Sequence, residues 1–331
     1  GSGREGGFQR YGASAASAGG GGGEGGDGCN REAEAQNKQP STSPSLKAAT
    51  ATAESIESTK KWLMSPCDKN ARPLQCYVER EREGFSSMHP TFRLYNEQNT
   101  YTGQNARFMM AAKKIAYKGT SYYLISLDMN PDDRGSDSVL GRVKANAVGS
   151  EYVFTDGGVA ASKTRLTSTV RKDLGFLSFA FDSKGPSIIE GWIPHVSANG
   201  TASVWQPEDE KGSIESHVKA KKLDNLLQLQ NKKPKWDASH GGHVLCFHGR
   251  VTESSVKNFQ LCCLDAPDHD PEEVVLQFGK VGKDKFTLDL SWPLSPLQAL
   301  CACVASLDGK IADRKGYEFI KSTKKYFFGG D

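Results

Sequence analysis

The chain has 331 residues, 24% of them charged, with 42 lysines and arginines against 39 aspartates and glutamates. A formal net charge of +3 is too weak to draw the whole molecule onto a polyanion, so attraction to phosphate has to come from local clustering. No Walker loop, nucleophile elbow or dinucleotide fingerprint occurs, which points to a binding protein rather than an enzyme and calls for no cofactor.

Residues 1–57 are rich in Gly, Ala and Ser and nearly free of large apolar residues, the composition of a disordered tail. From Lys60 the texture changes, and one large domain over 58–315 fits the usual size of a single core. In LQCYVERER, Leu74, Cys76 and Val78 alternate with polar neighbours. Further strands are expected at Thr91–Tyr95, Arg107–Met110, Ser121–Met129, Glu151–Thr155, Leu174–Phe181, Ser187–Ile193 and Thr201–Trp205. Asp156-Gly157-Gly158, Lys184-Gly185-Pro186 and Asn199-Gly200 supply turns between them. A charged loop, Glu208–Lys222, is followed by strand-like LLQLQN, HVLCFHGRV, KNFQLCCL, EVVLQFGKV and KFTLDLSW. In the last, Phe286, Leu288, Leu290 and Trp292 face one way, the pattern of a half-buried strand.

The period then switches. Ser295 can cap a helix, Pro296 suits its first position and Gln298 can close a capping box. The run to Leu307 is apolar on every side, so the helix must be buried all round; it is shorter than the roughly 20 residues a bilayer span needs. A hydrophobic helix preceded by period-two segments predicts a mainly β fold, a closed antiparallel barrel with the helix through its middle. Residues 316–331 are a basic and aromatic extension.

Several side-chain groups invite a metal or redox reading that their pattern does not support. His240, His243, Cys246 and His248 are of zinc-ligand type, but His243 and Cys246 point to opposite faces of a strand. Asp128, Asp132, Asp133 and Asp137 lack the spacing of a calcium loop. The cysteines sit where a small hydrophobe would serve, as reduced packing thiols of an intracellular protein.

Four stretches together resemble the C-terminal domain of the tubby family: SYYLISLD with RGSDSVLGRVKAN, LQNKKPKW, FHGRVTESSVKNFQ and QFGKVGKDKFTLDLSWPLSPLQAL. The resemblance implies a barrel of twelve strands around the C-terminal helix. It also implies binding of phosphoinositides, chiefly phosphatidylinositol 4,5-bisphosphate, by a monomeric adaptor or signalling protein of receptor or ciliary trafficking. The location implied is the cytoplasm and the inner face of the plasma membrane, with nucleus and cilium as further compartments. Where the family has Gly-Lys-Leu-Arg-Ser-Asn, this chain has Gly141-Arg142-Val143-Lys144-Ala145-Asn146, so the phosphate-gripping pair becomes Arg142 and Lys144. Spacing of two on a strand puts both cations on one face. Arg171 falls where the family has a third phosphate-contacting arginine, and Lys113 matches a basic position in the loop before SYYLIS. Tyr122 replaces a headgroup-contacting asparagine. Protein cargo is a further partner, and DNA is the alternative, since the family has been proposed to act in transcription and Lys219, Lys221, Lys222, Lys232, Lys233 and Lys235 form a basic stretch.

Overall fold

The computed structural model describes residues 8–11, 53–82, 89–97, 106–117, 120–164, 166–180, 188–237 and 242–308. Along the chain come β1 (Phe8–Tyr11), α1 (Ala53–Met64), β2 (Leu74–Glu81), β3 (Thr91–Asn96), β4 (Arg107–Tyr117), β5 (Thr120–Ser126), β6 (Val139–Ala145), β7 (Glu151–Asp156), β8 (Asp173–Ala180) and β9 (Ile188–Pro194). Then follow α2 (Ile214–Lys219), β10 (Leu226–Asn231), β11 (Lys235–Asp237), β12 (Gly242–Cys246), β13 (Phe259–Cys263), β14 (Val274–Gly282), β15 (Lys285–Leu290) and α3 (Pro296–Asp308).

Twelve of these strands, β2 to β10 and β13 to β15, close into one antiparallel barrel, in which β10 meets β9 on one side and β13 on the other. Period-two alternation aims Cys76, Val78, Leu94, Tyr123, Ile125 and Val143 inward, where they share one core with α3. Every residue from Pro296 to Ser306 except Gln298 is buried. The capping box forms as the residues dictate: Gln298 N–H donates to Ser295 Oγ at 3.2 Å and Ser295 N–H to Gln298 Oε1 at 2.9 Å. At the other end Asp308, a carboxylate on the unfavourable pole of the helix dipole, accepts from Lys114 Nζ at 2.6 Å and Tyr123 OH at 2.8 Å. Among the described residues no helix is long and apolar enough to cross a membrane.

Several expectations are corrected. Phe8–Tyr11, inside the expected tail, pairs with β12, and β12 also pairs β11, so HVLC belongs to a separate three-stranded sheet and not to the barrel. A tail-wide composition hides a four-residue strand. Helix α1 begins at Ala53, within residues assigned to the tail, because Leu63 is buried in the barrel core. Thr201–Trp205 makes only the bridges Val196 to Ala202 and Asp173 to Trp205: β8 and β10 already flank β9, and a closed barrel leaves no free edge. Part of the charged loop is helix α2, capped by Ser213, whose Oγ accepts from Ser216 N–H. Strand β15 is not half-buried, since Thr287 and Asp289 on its outer face are 4% and 7% exposed. The rest of the N-terminal segment before Ala53 and residues 309–331, including the expected extension, lie outside the described residues.

The cysteines Cys76, Cys263, Cys301 and Cys303 pack as small hydrophobes. Burial pushes the Cys67 and Cys263 thiols up to about 11 and those of Cys76, Cys301 and Cys303 further, so the reactive thiolate is disfavoured in all five. Cys246 Sγ and His248 Nδ1 stand 3.7 Å apart.

Helix α2 docks through Asp173, whose Oδ2 accepts from Ile214 N–H at 3.0 Å. Burial pushes this carboxyl up to about 6, against the opposing hydrogen bond and the Arg171 charge. Because the folded value lies above the unfolded one, the native state binds more protons between pH 4 and 6, and stability falls as pH rises through that window. Asp173→Asn is expected to remove that loss, gaining on the order of 2 kcal/mol at neutral pH relative to the parent. Urea unfolding of both chains across pH 4–7 checks it; parallel curves would refute the assignment.

Candidate functional site

Strand β6 carries the Gly-Arg-Val-Lys segment. Val143 is buried in the core and Gly141 faces Leu297 of α3, which turns Arg142 and Lys144 to the outer face, about 7 Å apart along the strand; Leu140 reaches the core at the break in register beside Ile125. Arg142 lies opposite Leu124 of β5 and Thr155 of β7. The chain leaving β7 turns at Gly157-Gly158, and Arg142 Nη1 donates to the carbonyls of Gly157 at 3.0 Å and Gly158 at 3.1 Å. Arg171, at the entrance to β8, donates through Nε to the same Gly158 carbonyl at 3.2 Å.

The turn brings the two arginines together because glycine stands at its apex. A Cβ on Gly158 would lie 2.7 Å from the Arg171 Cα and 2.9 Å from its N, closer than any other residue tolerates. Asp156 holds the turn from within: its Oδ1 accepts from Gly158 N–H at 2.9 Å and Lys172 N–H at 3.0 Å. That carboxylate is spent on backbone, and among the described residues none forms an ion pair with Arg142, Lys144, Lys163 or Arg171. Burial, and after it the charge of Arg171, lower the pKa of Arg142, yet a guanidinium remains charged. Two like charges held together, with no ion pair to either among the described residues, create a local positive potential that the Asp156 charge only partly offsets and an oxyanion relieves.

The pair borders a cleft of about 520 Å³, also lined by Lys60 of α1, Arg134, Lys163 and a single carboxylate, Asp137. Five cations and one acid therefore line it, with Lys60 paired to Glu57 of its own helix at 3.0 Å. Of the residues singled out from sequence, Arg142 and Arg171 meet here, while Lys144 stands exposed beyond the rim, opposite Tyr122. The Arg134 guanidinium covers the Tyr122 ring at 5.4 Å. Lys113 is not in a loop: β4 runs through it, pairing with β3 and β5, and it too lies opposite Leu124, two strands and about 10 Å from Arg142. Its ammonium is paired with Asp132 of the loop that folds back over this outer face. The next residue, Lys114, points the other way, to Asp308. Lys60, Arg134 and Lys163 escaped sequence reasoning because they lie in three separate segments, and nothing in their spacing links them to Arg142 or Arg171.

The acidic loop behaves as turn chemistry: Asp133 accepts from Gly135 N–H at 2.8 Å and Asp128 from Ser126 Oγ at 2.8 Å. Among the described residues no group of three or more His, Cys, Asp or Glu side chains is placed to hold a metal ion.

A family model described as the Tub family matches residues 63–309. Tubby-related protein 2 of Mus musculus is 36% identical over 246 residues, covering 72% of this chain and 42% of the relative. Tubby-related protein 3 of Mus musculus is 32% identical over 265 residues, covering 78% and 56%. Protein king tubby of Anopheles gambiae is 32% identical over 258 residues, covering 76% and 55%. The chain thus spans about half the length of these relatives. With a twelve-stranded barrel, a central helix and a family match across most of the sequence, the chain belongs to the tubby family.

Proposed function

We propose that the barrel binds the phosphorylated headgroup of a phosphoinositide, phosphatidylinositol 4,5-bisphosphate in the first place, and so tethers the protein to the inner face of the plasma membrane. The observation that carries this reading is the convergence of Arg142 and Arg171 on one carbonyl, at the edge of a cleft with five cations and one carboxylate. Guanidinium forks match phosphate oxygens bidentately, and the like-charge cost already present in the free site is relieved when the phosphate arrives. Lys144, next along the strand face, serves the same headgroup from outside the cleft, and Lys113 serves it once Asp132 releases it. Such a protein works by location, as an adaptor or signalling component of receptor or ciliary trafficking, and carries out no covalent chemistry.

Magnitude sets the mode of attachment. About 1 kcal/mol per basic residue near an anionic surface gives only about 4 kcal/mol for four residues, so stable residence requires the specific headgroup and stays salt-sensitive. The nucleic-acid alternative has weaker support. Its lysines divide between the two ends of β10, about 20 Å apart; Lys219 is held by Glu151 and Glu215, and Lys232 donates to the Glu272 carbonyl.

The test is co-sedimentation with liposomes carrying different phosphoinositide isomers at physiological salt, comparing the parent with Arg142→Ala, Lys144→Ala. Isomer-selective binding is expected, falling about 30-fold or more in the double variant at unchanged thermal stability. No binding by the parent, or equal binding by both, would overturn the reading; a steep salt slope on duplex DNA without headgroup preference would favour the nucleic-acid alternative.

A further inference from the structure

We infer that the turn bearing Val159 and Leu166, beside the cationic cleft, is a bilayer-insertion wedge, whose two apolar side chains enter the headgroup and acyl boundary while the cleft holds the phosphate. The inference rests on the phosphoinositide reading and names the physical source of the headgroup, a membrane rather than a free inositol phosphate.

Leu166 is 66% exposed and Val159 42% exposed, and Val159 lines the cleft together with Lys163 and Arg171. Singly exposed apolar residues are ordinary on protein surfaces, so exposure alone decides nothing. What distinguishes this turn is the state of its backbone. Leu166 N–H donates to Thr164 Oγ1 at 3.1 Å, and the Leu166 carbonyl accepts from Thr169 N–H at 3.0 Å and from Thr169 Oγ1 at 2.9 Å. The two threonine hydroxyls lie 3.0 Å apart. Val159 N–H donates to the Thr169 carbonyl at 2.9 Å, and its own carbonyl accepts from Arg171 N–H at 2.8 Å.

Both apolar residues therefore project from backbone whose polar groups are already paired within the turn. A loop entering a low-dielectric boundary ordinarily forfeits hydrogen bonds to water; this one has none at those two residues to forfeit. The charge pattern agrees with an anionic bilayer, because residues 157–172 contain Lys163, Arg165, Arg171 and Lys172 and no aspartate or glutamate. By contrast Val256, 63% exposed, follows Glu253 in a loop away from the cleft and is the natural control.

Two probes separate insertion from headgroup contact: phosphatidylcholine vesicles carrying phosphatidylinositol 4,5-bisphosphate, and soluble inositol trisphosphate. Leu166→Ser, at a residue outside the cleft lining, is expected to weaken vesicle binding about tenfold while leaving affinity for the soluble headgroup unchanged; Val256→Ser should alter neither. A Leu166→Trp variant should shift its emission to the blue on vesicles and be quenched by brominated lipid. Vesicle binding equal to the parent's, or an equal loss on the soluble headgroup, would overturn the wedge and leave the cleft reading standing. A parent that binds neither probe overturns the headgroup reading itself.

Discussion

Replacing Asp289 with alanine should destabilise the barrel by about 3 kcal/mol, because it strands the charge of Arg250 against the wall. Arg250 Nε and Nη2 donate to the two oxygens of Asp289 at 2.8 and 2.6 Å, and Nη1 donates to Glu97 at 2.8 Å. Burial opposes the Arg250 charge, but the two acids outweigh it and its pKa is raised. The pair ties the segment after β12 onto the outer faces of β15 and β2, where Arg250 also reaches the Cys76 carbonyl and its own carbonyl accepts from Thr287 Oγ1. Gln277 donates to Asp289 at 3.2 Å, and Gln260 donates to Gln277 at 2.7 Å, so the outer face of this wall is a closed polar network. Val251 seals it against Gly279, where a Cβ would come within 2.2 Å of a valine methyl. Glu97 remains in the Asp289→Ala variant, which keeps the loss near the lower end for a broken buried pair. Urea unfolding of Asp289→Ala, Arg250→Met and the double variant checks this. The double loss should fall short of the sum of the singles by more than about 1 kcal/mol; additive losses would mean that the two side chains act separately.

Leu300→Ala should cost about 3–5 kcal/mol, and the thermal midpoint should fall by about 10 °C. Leu300 is fully buried in the middle of α3, inside a closed wall. Strands joined on both sides through backbone hydrogen bonds cannot move in to fill the space, so most of the cavity persists and the loss lies in the upper part of the usual range. Leu300→Met, which conserves volume, should cost less than about 1.5 kcal/mol. A loss for alanine no larger than for methionine would show that the interior collapses around the helix.

The two variants also separate stability from binding. Neither Asp289 nor Leu300 lines the arginine cleft, so folded protein carrying either change should bind liposomes as the parent does. Loss of binding is expected where the cations of the cleft, Lys113, Lys144 or the turn of residues 157–171 are altered.

The central helix was legible in the residues because its signals are local: a cap, a proline, a glutamine three positions on and an uninterrupted apolar run. Arg142 and Lys144 share a face for an equally local reason, spacing of two on a strand. Arg171 carries no such signal and was reached through the family resemblance. Lys60, Arg134 and Lys163 come from three other segments, and nothing local ties those segments to β6. Alternation identified most strands, yet it promoted Thr201–Trp205 and HVLCFHGRV into the barrel, because period two reports a pleated segment and says nothing of its partner. The outer face of β15 read as solvent-exposed for the same reason: the covering arginine is 39 residues away in sequence.

By itself, then, the sequence determined the mainly β class, the buried helix with its start, and the side of the wall that carries the basic pair, since each follows from chemistry within a few residues. Only the tertiary structure decided which strands close the ring, that Lys113 is held by Asp132, and that Arg142 and Arg171 meet at Gly158. Those depend on which backbone edges pair and on what then packs across them, and local spacing does not encode contacts between segments that closure of the barrel brings together.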